Sequence, residues 1–137
     1  MRDHRKLKAF EFADEMTQRV YGATCAFPEE QFSLAAELRR SAVDAASRLV
    51  AACAQGGTND YVKGLEGAYG AAKRVEYQLG LAKRLGYIQE ADCKELDESC
   101  LSTCKTLNGL IRAVRDGGKR KDGSNGKSGN GNGGQKQ

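Results

Sequence analysis

The side chains in this chain that are best suited to chemistry are basic residues that stand in adjacent pairs. Arginine binds phosphate well because its planar guanidinium can donate to two oxygens at once. Neighbours on a helix point about 100° apart, so each pair spreads over the flank of its helix. The pairs therefore indicate either a phosphate-binding surface or ordinary solvated helix faces. The candidate residues for nucleic-acid binding are Arg39, Arg40, Arg48, Lys73, Arg74, Lys83, Arg84, Lys119, Arg120 and Lys121.

The sequence shows no comparable set of residues for catalysis. His4 is the single histidine, and the motifs of zinc proteases, nucleotide-binding loops and serine hydrolases do not occur. Cys93, Cys100 and Cys104 allow a metal site or a reactive thiol. However, Cys93 and Cys100 fall on an apolar stripe, where a thiol behaves as a small hydrophobic group. We therefore expect reduced core cysteines, no catalytic residue, no metal and no cofactor.

Four amphipathic segments must position the basic pairs. In each segment, apolar and small residues recur at spacings of three and four, which places them along one seam of a helix. Four such helices joined by short loops predict an all-α, antiparallel up-down four-helix bundle over residues 1–115. The seams are Phe10, Ala13, Thr17, Val20 and Thr24; Ala35, Leu38, Ala42, Ala45, Leu49 and Ala52; Tyr61, Leu65, Ala68, Ala72, Val75, Leu79 and Ala82; and Cys93, Leu96, Cys100, Thr103, Leu107, Leu110 and Val114.

Proline, glycine and polar residues predict where the helices begin and end. Pro28 is typical of a first helical turn, and Thr58 offers a capping hydroxyl for the third helix. Gly86 can adopt the left-handed conformation that ends a helix. Asp116–Gly118 is predicted to end the fourth helix.

A second set of apolar residues lies off the seams. It either widens the core face of each helix or forms a subunit interface. Its members are Phe12, Met16, Phe32, Leu34, Tyr69, Tyr77, Leu81, Leu85 and Ile111.

The last part of the chain, residues 116–137, changes in composition. It contains five Lys or Arg residues against two Asp, many Gly, and no large apolar side chain. Such a segment cannot offset its ordering entropy by burial, so we predict a flexible basic tail. It would add sequence-independent affinity for nucleic acid, or serve only as a solubilising segment or linker. No apolar run is long enough to span a membrane and the first residues do not resemble a secretory signal, so we expect a cytoplasmic protein.

Three stretches resemble one known family. Residues 27–43, FPEEQFSLAAELRRSAV, are similar to the hallmark FP–E–x–G/S–L–x–x–QLRRAAVS of the 23S rRNA intervening-sequence proteins. Residues 80–88, GLAKRLGYI, and residues 107–111, LNGLI, resemble later parts of the family pattern. The resemblance covers residues 7–115. It implies a four-helix bundle that assembles into a ring-like homopentamer and has no enzymatic activity.

One segment departs from the family pattern. The family continues with I-P-x-N-I-A-E-G, whereas Ala45–Ala52 lacks the Pro, Asn, Glu and Gly. The accessory variability determinant (Avd) branch, found in diversity-generating retroelements, also ends in a basic, Gly-containing tail. Resemblance to that branch implies two further partners, a reverse transcriptase and its structured template RNA. The alternatives are an intervening-sequence-type bundle protein and a purely protein–protein adaptor.

Overall fold

The computed structural model describes residues 2–28 and 32–126, and the side chains of residues 2–28 and 33–117. A short 3-10 turn at His4–Lys6 precedes four α-helices. These are α1 (Lys8–Thr24), α2 (Phe32–Cys53), α3 (Thr58–Arg84) and α4 (Glu90–Gly126). Each helix packs against the next one in the chain, and α1 packs against α4. The described residues form no strand. The predicted antiparallel four-helix arrangement is confirmed for one chain.

The apolar seams form the core of the bundle. Every predicted seam residue of α2 and α3 is buried. In α1 the buried line runs through Ala9 and Met16, while Phe10 and Thr17 are half-buried. Thr17 lies at the border with α2, where its hydroxyl contacts both Ala13 O, at 2.8 Å, and Ala42 O, at 3.1 Å. The seam predicted for α1 is therefore correct for only part of its length.

The off-seam apolar residues separate into core and surface. Met16 and Ile111 are buried in the core, as expected for a widened core face. Tyr77 and Leu85 are 63% and 50% exposed. These two remain candidates for contacts outside the chain.

The turn after α3 has the predicted glycine geometry. Gly86 has φ +77°, a conformation that glycine adopts without steric cost. Its N–H donates to Lys83 O at 3.0 Å, and the Tyr87 N–H donates to Ala82 O at 2.9 Å. Together the two hydrogen bonds satisfy carbonyls that the helix end would leave unpaired.

Other predicted helix ends differ from the structure. The residue that caps α3 is Gly57, and Thr58 is already helical. The backbone of α4 continues past Asp116–Gly118 to Gly126, so the predicted end of that helix is wrong. Glycine disfavours a helix by only about 1 kcal/mol per residue and does not forbid it. The predicted flexibility of the tail stays a prediction, since residues 127–137 lie outside the described ones.

The entry to α2 is described only in part. Pro28 itself is not helical, and residues 29–31, where the predicted helix start falls, are outside the described part.

Helices α2 and α3 approach closely where Gly64 faces Ala52. A Cβ atom added at Gly64 would lie 2.6 Å from Ala52 Cβ and 3.0 Å from Ala52 Cα. Larger side chains would not fit there, so small residues are required at this crossing.

Among the described residues, none of the helices combines the length and the apolar character that crossing a bilayer demands.

Candidate nucleic-acid interface

Charge is distributed unevenly between two sides of the bundle. Helices α2 and α3, which pack together, contain eight Lys or Arg and five Asp or Glu residues. Helix α1 and residues 90–117 of α4 also pack together and contain six basic and nine acidic residues. Over these residues the two sides have net charges of +3 and −3, and the end of α4, residues 118–126, adds +2 to the second. Seven of the ten predicted nucleic-acid-binding residues lie on the positive side.

Asp44 organises the centre of the positive side. Its Oδ2 accepts from Arg48 Nε at 3.0 Å within α2, and from an Arg74 terminal nitrogen at 2.8 Å across to α3. Partial burial would raise the pKa of the Asp44 carboxyl, but the hydrogen bonds from Arg74 and Arg48 outweigh it and hold the pKa below its ordinary value. One carboxylate therefore fixes two candidate arginines in place. Asp44 was not predicted as part of the site, although its i,i+4 spacing to Arg48 is a signal of such a pair.

The two members of the Arg39–Arg40 pair have different surroundings. Arg39 is half-buried, and its Nε donates to Thr24 Oγ1 at 2.7 Å. Its guanidinium also lies 4.7 Å from the centroid of the Tyr21 ring. Arg40 is exposed and forms an ion pair with Glu37, at 2.8 Å. Arg39 therefore ties α2 to the end of α1, while Arg40 lies on the surface.

The basic residues of α3 also differ in their partners. Lys73 contacts Glu76 at 2.6 Å, and that hydrogen bond raises the pKa of the Lys73 ammonium. Lys83 and Arg84 are exposed, and among the ion pairs of the described side chains neither of them takes part. The Arg84 guanidinium instead lies 6.0 Å from the centroid of the exposed Tyr77 ring. Lys83 and Arg84 are thus available to an anionic partner without breaking a described ion pair.

The remaining predicted residues are at the end of α4. The backbone of Lys119, Arg120 and Lys121 is helical, and their side chains lie outside the described ones. Their predicted role in nucleic-acid binding stays a prediction.

The cysteines lie mostly in the core. Cys53, Cys93, Cys100 and Cys104 are buried free thiols, and Cys25 is exposed. A hydrogen bond with Cys104 and burial both raise the pKa of the Cys100 thiol, so Cys100 stays protonated at neutral pH. Within the described residues, no three His, Cys, Asp or Glu side chains come close enough together to hold a metal ion.

Comparison with known proteins gives two findings. A family model described as 23S rRNA-intervening sequence protein matches residues 5–109. The fold is similar to the crystal structure of a protein with unknown function from the S23 ribosomal protein family of Bacteroides thetaiotaomicron VPI-5482. The TM-score is 0.69 at 20% identity, over 75% of this chain and 97% of that chain. At this identity the likeness supports the fold alone. Among curated proteins, none matches the chain.

Proposed function

This chain belongs to the family of 23S rRNA-intervening sequence proteins, and on that premise we propose that it is a non-enzymatic scaffold that binds structured RNA. In this proposal the bundle assembles with copies of itself into a ring-like homopentamer in the cytoplasm. The ring positions the RNA and makes or breaks no bond. Its role is that of an Avd-like accessory, which holds a reverse transcriptase against the template RNA.

The observation that carries the RNA-binding part is the net charge of +3 on the α2–α3 side. Phosphate contacts supply most of the sequence-independent affinity for nucleic acid, and they require clustered cations. In a ring the positive side would be repeated once per subunit, so that a modest charge on one chain adds up to a strong local field. A chain that is nearly neutral outside its tail can therefore present a basic surface.

Two sequence features support the narrower Avd-like role. Ala45–Ala52 lacks the Pro, Asn, Glu and Gly that follow the arginine pair in the family pattern. The basic residues Lys119, Arg120 and Lys121 also follow the bundle, as they do in the Avd branch. The role predicts a reverse-transcriptase gene beside this one, and co-expression with that enzyme tests it. A well-folded oligomer that fails to copurify with that enzyme would refute it.

A pair of charge reversals tests RNA binding directly. The variant Lys83→Glu/Arg84→Glu changes the positive side, and Lys105→Glu/Arg112→Glu makes the same change in charge on exposed positions of α4. We expect the first to weaken binding of the flanking-locus RNA roughly tenfold or more at low salt, because two phosphate contacts are lost. The second should bind like the wild type.

Light scattering with and without RNA, across a salt series, gives the second measurement. The proposal predicts a pentamer whose mass rises with RNA at low salt and falls steeply as salt increases. A pentamer that is indifferent to RNA would refute the RNA-binding function. A monomer would refute the ring.

A second candidate function is that of a protein–protein adaptor. The ion pairs of Arg40 with Glu37 and of Lys73 with Glu76 favour it, because they partly neutralise the positive side. An adaptor predicts that Arg40→Glu weakens assembly and leaves RNA binding unchanged. The scaffold function predicts the opposite pattern.

A further inference from the structure

Tyr77 lies on the outer surface of α3, away from the core. The core line of that helix passes through Val75 and Leu79, which are both buried, whereas Tyr77 between them is 63% exposed. A tyrosine buries a large area when it is inside a protein. An aromatic ring left this bare on an otherwise well-packed helix is therefore a surface that can take a partner.

The neighbours of Tyr77 on the outer face leave its ring accessible. Gly70 and Gly80 lie two turns before it and about one turn after it. A Cβ atom at Gly70 would meet nothing within 4 Å, and one at Gly80 would meet only the Arg84 guanidinium, at 3.2 Å. Arg84 itself is 6.0 Å from the ring centroid, near the outer limit of a cation–π contact. The two glycines thus place no side chain on this part of the outer face.

Three cations lie along the helix from this bare ring. Lys73 and Arg74 lie one turn before Tyr77, and each is paired with a carboxylate that a bound phosphate would replace. Arg84 lies two turns after Tyr77 and takes part in none of the ion pairs of the described side chains. An aromatic ring with cations on both sides along the helix matches the way proteins hold single-stranded nucleic acid, by stacking bases and pairing phosphates. Tyrosine and arginine are also common at protein–protein interfaces, so a subunit contact is the alternative that the test must separate.

We propose that Tyr77 is a stacking platform for an unpaired base of a single-stranded RNA segment, whose phosphates are bound by Lys73, Arg74 and Arg84. This inference rests on the proposed RNA-binding function and makes it more specific. The basic residues of α2 and α3 supply affinity for any RNA. The ring of Tyr77 adds a preference for unpaired bases, because a base inside a duplex is already stacked on its neighbours.

The test compares two RNA probes and three variants of the full chain. The probes are a short fluorescein-labelled oligoadenylate and a duplex of the same length, and binding is measured by fluorescence anisotropy. Tyr77→Leu removes the ring while retaining an apolar side chain, and Tyr77→Phe retains the ring. Tyr21→Leu is the matched control, since Tyr21 is an exposed tyrosine on α1 whose ring already contacts Arg39.

The expected result is specific to the ring and to the single strand. Tyr77→Leu should bind the oligoadenylate roughly tenfold more weakly than the wild type and the duplex equally well. Tyr77→Phe and Tyr21→Leu should bind both probes like the wild type. A fluorescent adenine analogue in the oligonucleotide should be quenched on binding to the wild type and to Tyr77→Phe, and much less by Tyr77→Leu.

Three outcomes would overturn the inference, and they can be told apart. Equal binding of the oligoadenylate by wild type and Tyr77→Leu would refute the stacking role and leave the proposed function intact. A wild type that binds neither probe would refute the proposed function and the stacking role with it. A change in the light-scattering mass of Tyr77→Leu without RNA would assign the ring to a subunit interface instead.

Discussion

Charged residues of both signs lie on the α2–α3 side and on the α1–α4 side of this bundle, but in opposite proportions. Both sides have bridging ion pairs between helices, Arg74 with Asp44 on the first and Arg19 with Glu95 on the second. The first side has a surplus of three cations, and the second, counted to residue 117 of α4, has a surplus of three anions. The α2–α3 crossing is also tight, with Gly64 against Ala52.

Because its charges are divided between two sides, a nearly neutral bundle can present a basic surface on one of them. The seams of α2 and α3 are built largely from Ala, and small residues let the helix backbones approach closely. Arg48 then extends over α3 above Gly67, where a Cβ atom would lie 2.9 Å from its terminal nitrogen. Small residues thus let the two helices approach at Gly64 and let one arginine lie across the neighbouring helix at Gly67.

The largest effect on stability should come from breaking the tight crossing. In Gly64→Ala the added methyl group meets Ala52, including its backbone, so a helix must shift. We expect a loss of about 1–3 kcal/mol in the free energy of unfolding. Urea unfolding followed by circular dichroism measures it. The control Gly109→Ala, whose methyl group enters open space in α4, should gain about 0.5–1 kcal/mol. Equal stabilities of the two variants would show that the crossing is loose.

A medium effect should separate the two adjacent arginines. Arg39→Met removes a hydrogen bond to the buried Thr24, so the free energy of unfolding should fall by about 1–2 kcal/mol. Arg40→Met removes an exposed ion pair with Glu37 and should change stability by less than about 0.5 kcal/mol. Thermal unfolding of both variants measures the difference. Similar losses in both would contradict the distinct roles that the structure gives to this pair.

The smallest effect should be a dependence on pH centred on Asp44. Its pKa in the folded state is below the ordinary carboxyl value of 3.8. The stability that its ion pairs contribute is therefore present above that value and is lost as the pH falls through the lower pKa. Asp44→Asn should be less stable than the wild type near neutral pH by under about 1 kcal/mol, and the difference should shrink below pH 3.8.

Urea unfolding at neutral and acidic pH tests this dependence. Glu95→Gln is the matched control on the other side of the bundle, because it removes a bridging ion pair whose carboxylate is 66% exposed, against 30% for Asp44. Its stability difference from the wild type should be near zero. A pH-independent difference between Asp44→Asn and the wild type would contradict the depressed pKa.

The sequence predicted the repetitive parts of the fold and missed those that depend on how helices meet. The seams of α2 and α3 are right because regular spacing alone determines which residues share a face. The seam predicted for α1 is partly wrong, because the Thr17 hydroxyl finds a hydrogen-bond acceptor on α2 and lies at the border of the two helices, outside the core. The end of α4 was missed because glycine only weakens a helix.

The candidate site was predictable as a set of residues but not as an arrangement. The contact between Arg74 and Asp44 joins positions 30 apart, and it depends on the register of α2 against α3. The separation of charge also depends on the pairing of helices, because charge counted along the sequence does not show which helices lie side by side. Tyr77 is one of the off-seam apolar residues, and only the structure shows that its side chain is exposed.

The opposite charges on the two sides give the bundle an electric dipole across its short axis. A molecule with such a dipole turns in the field of any polyanion before the two touch, so that the α2–α3 side leads the approach. The effect appears in the association rate rather than in the lifetime of the complex, and added salt suppresses it over distances of about 10 Å. The charges that would orient the bundle towards a polyanion therefore include many residues that such a partner would not touch.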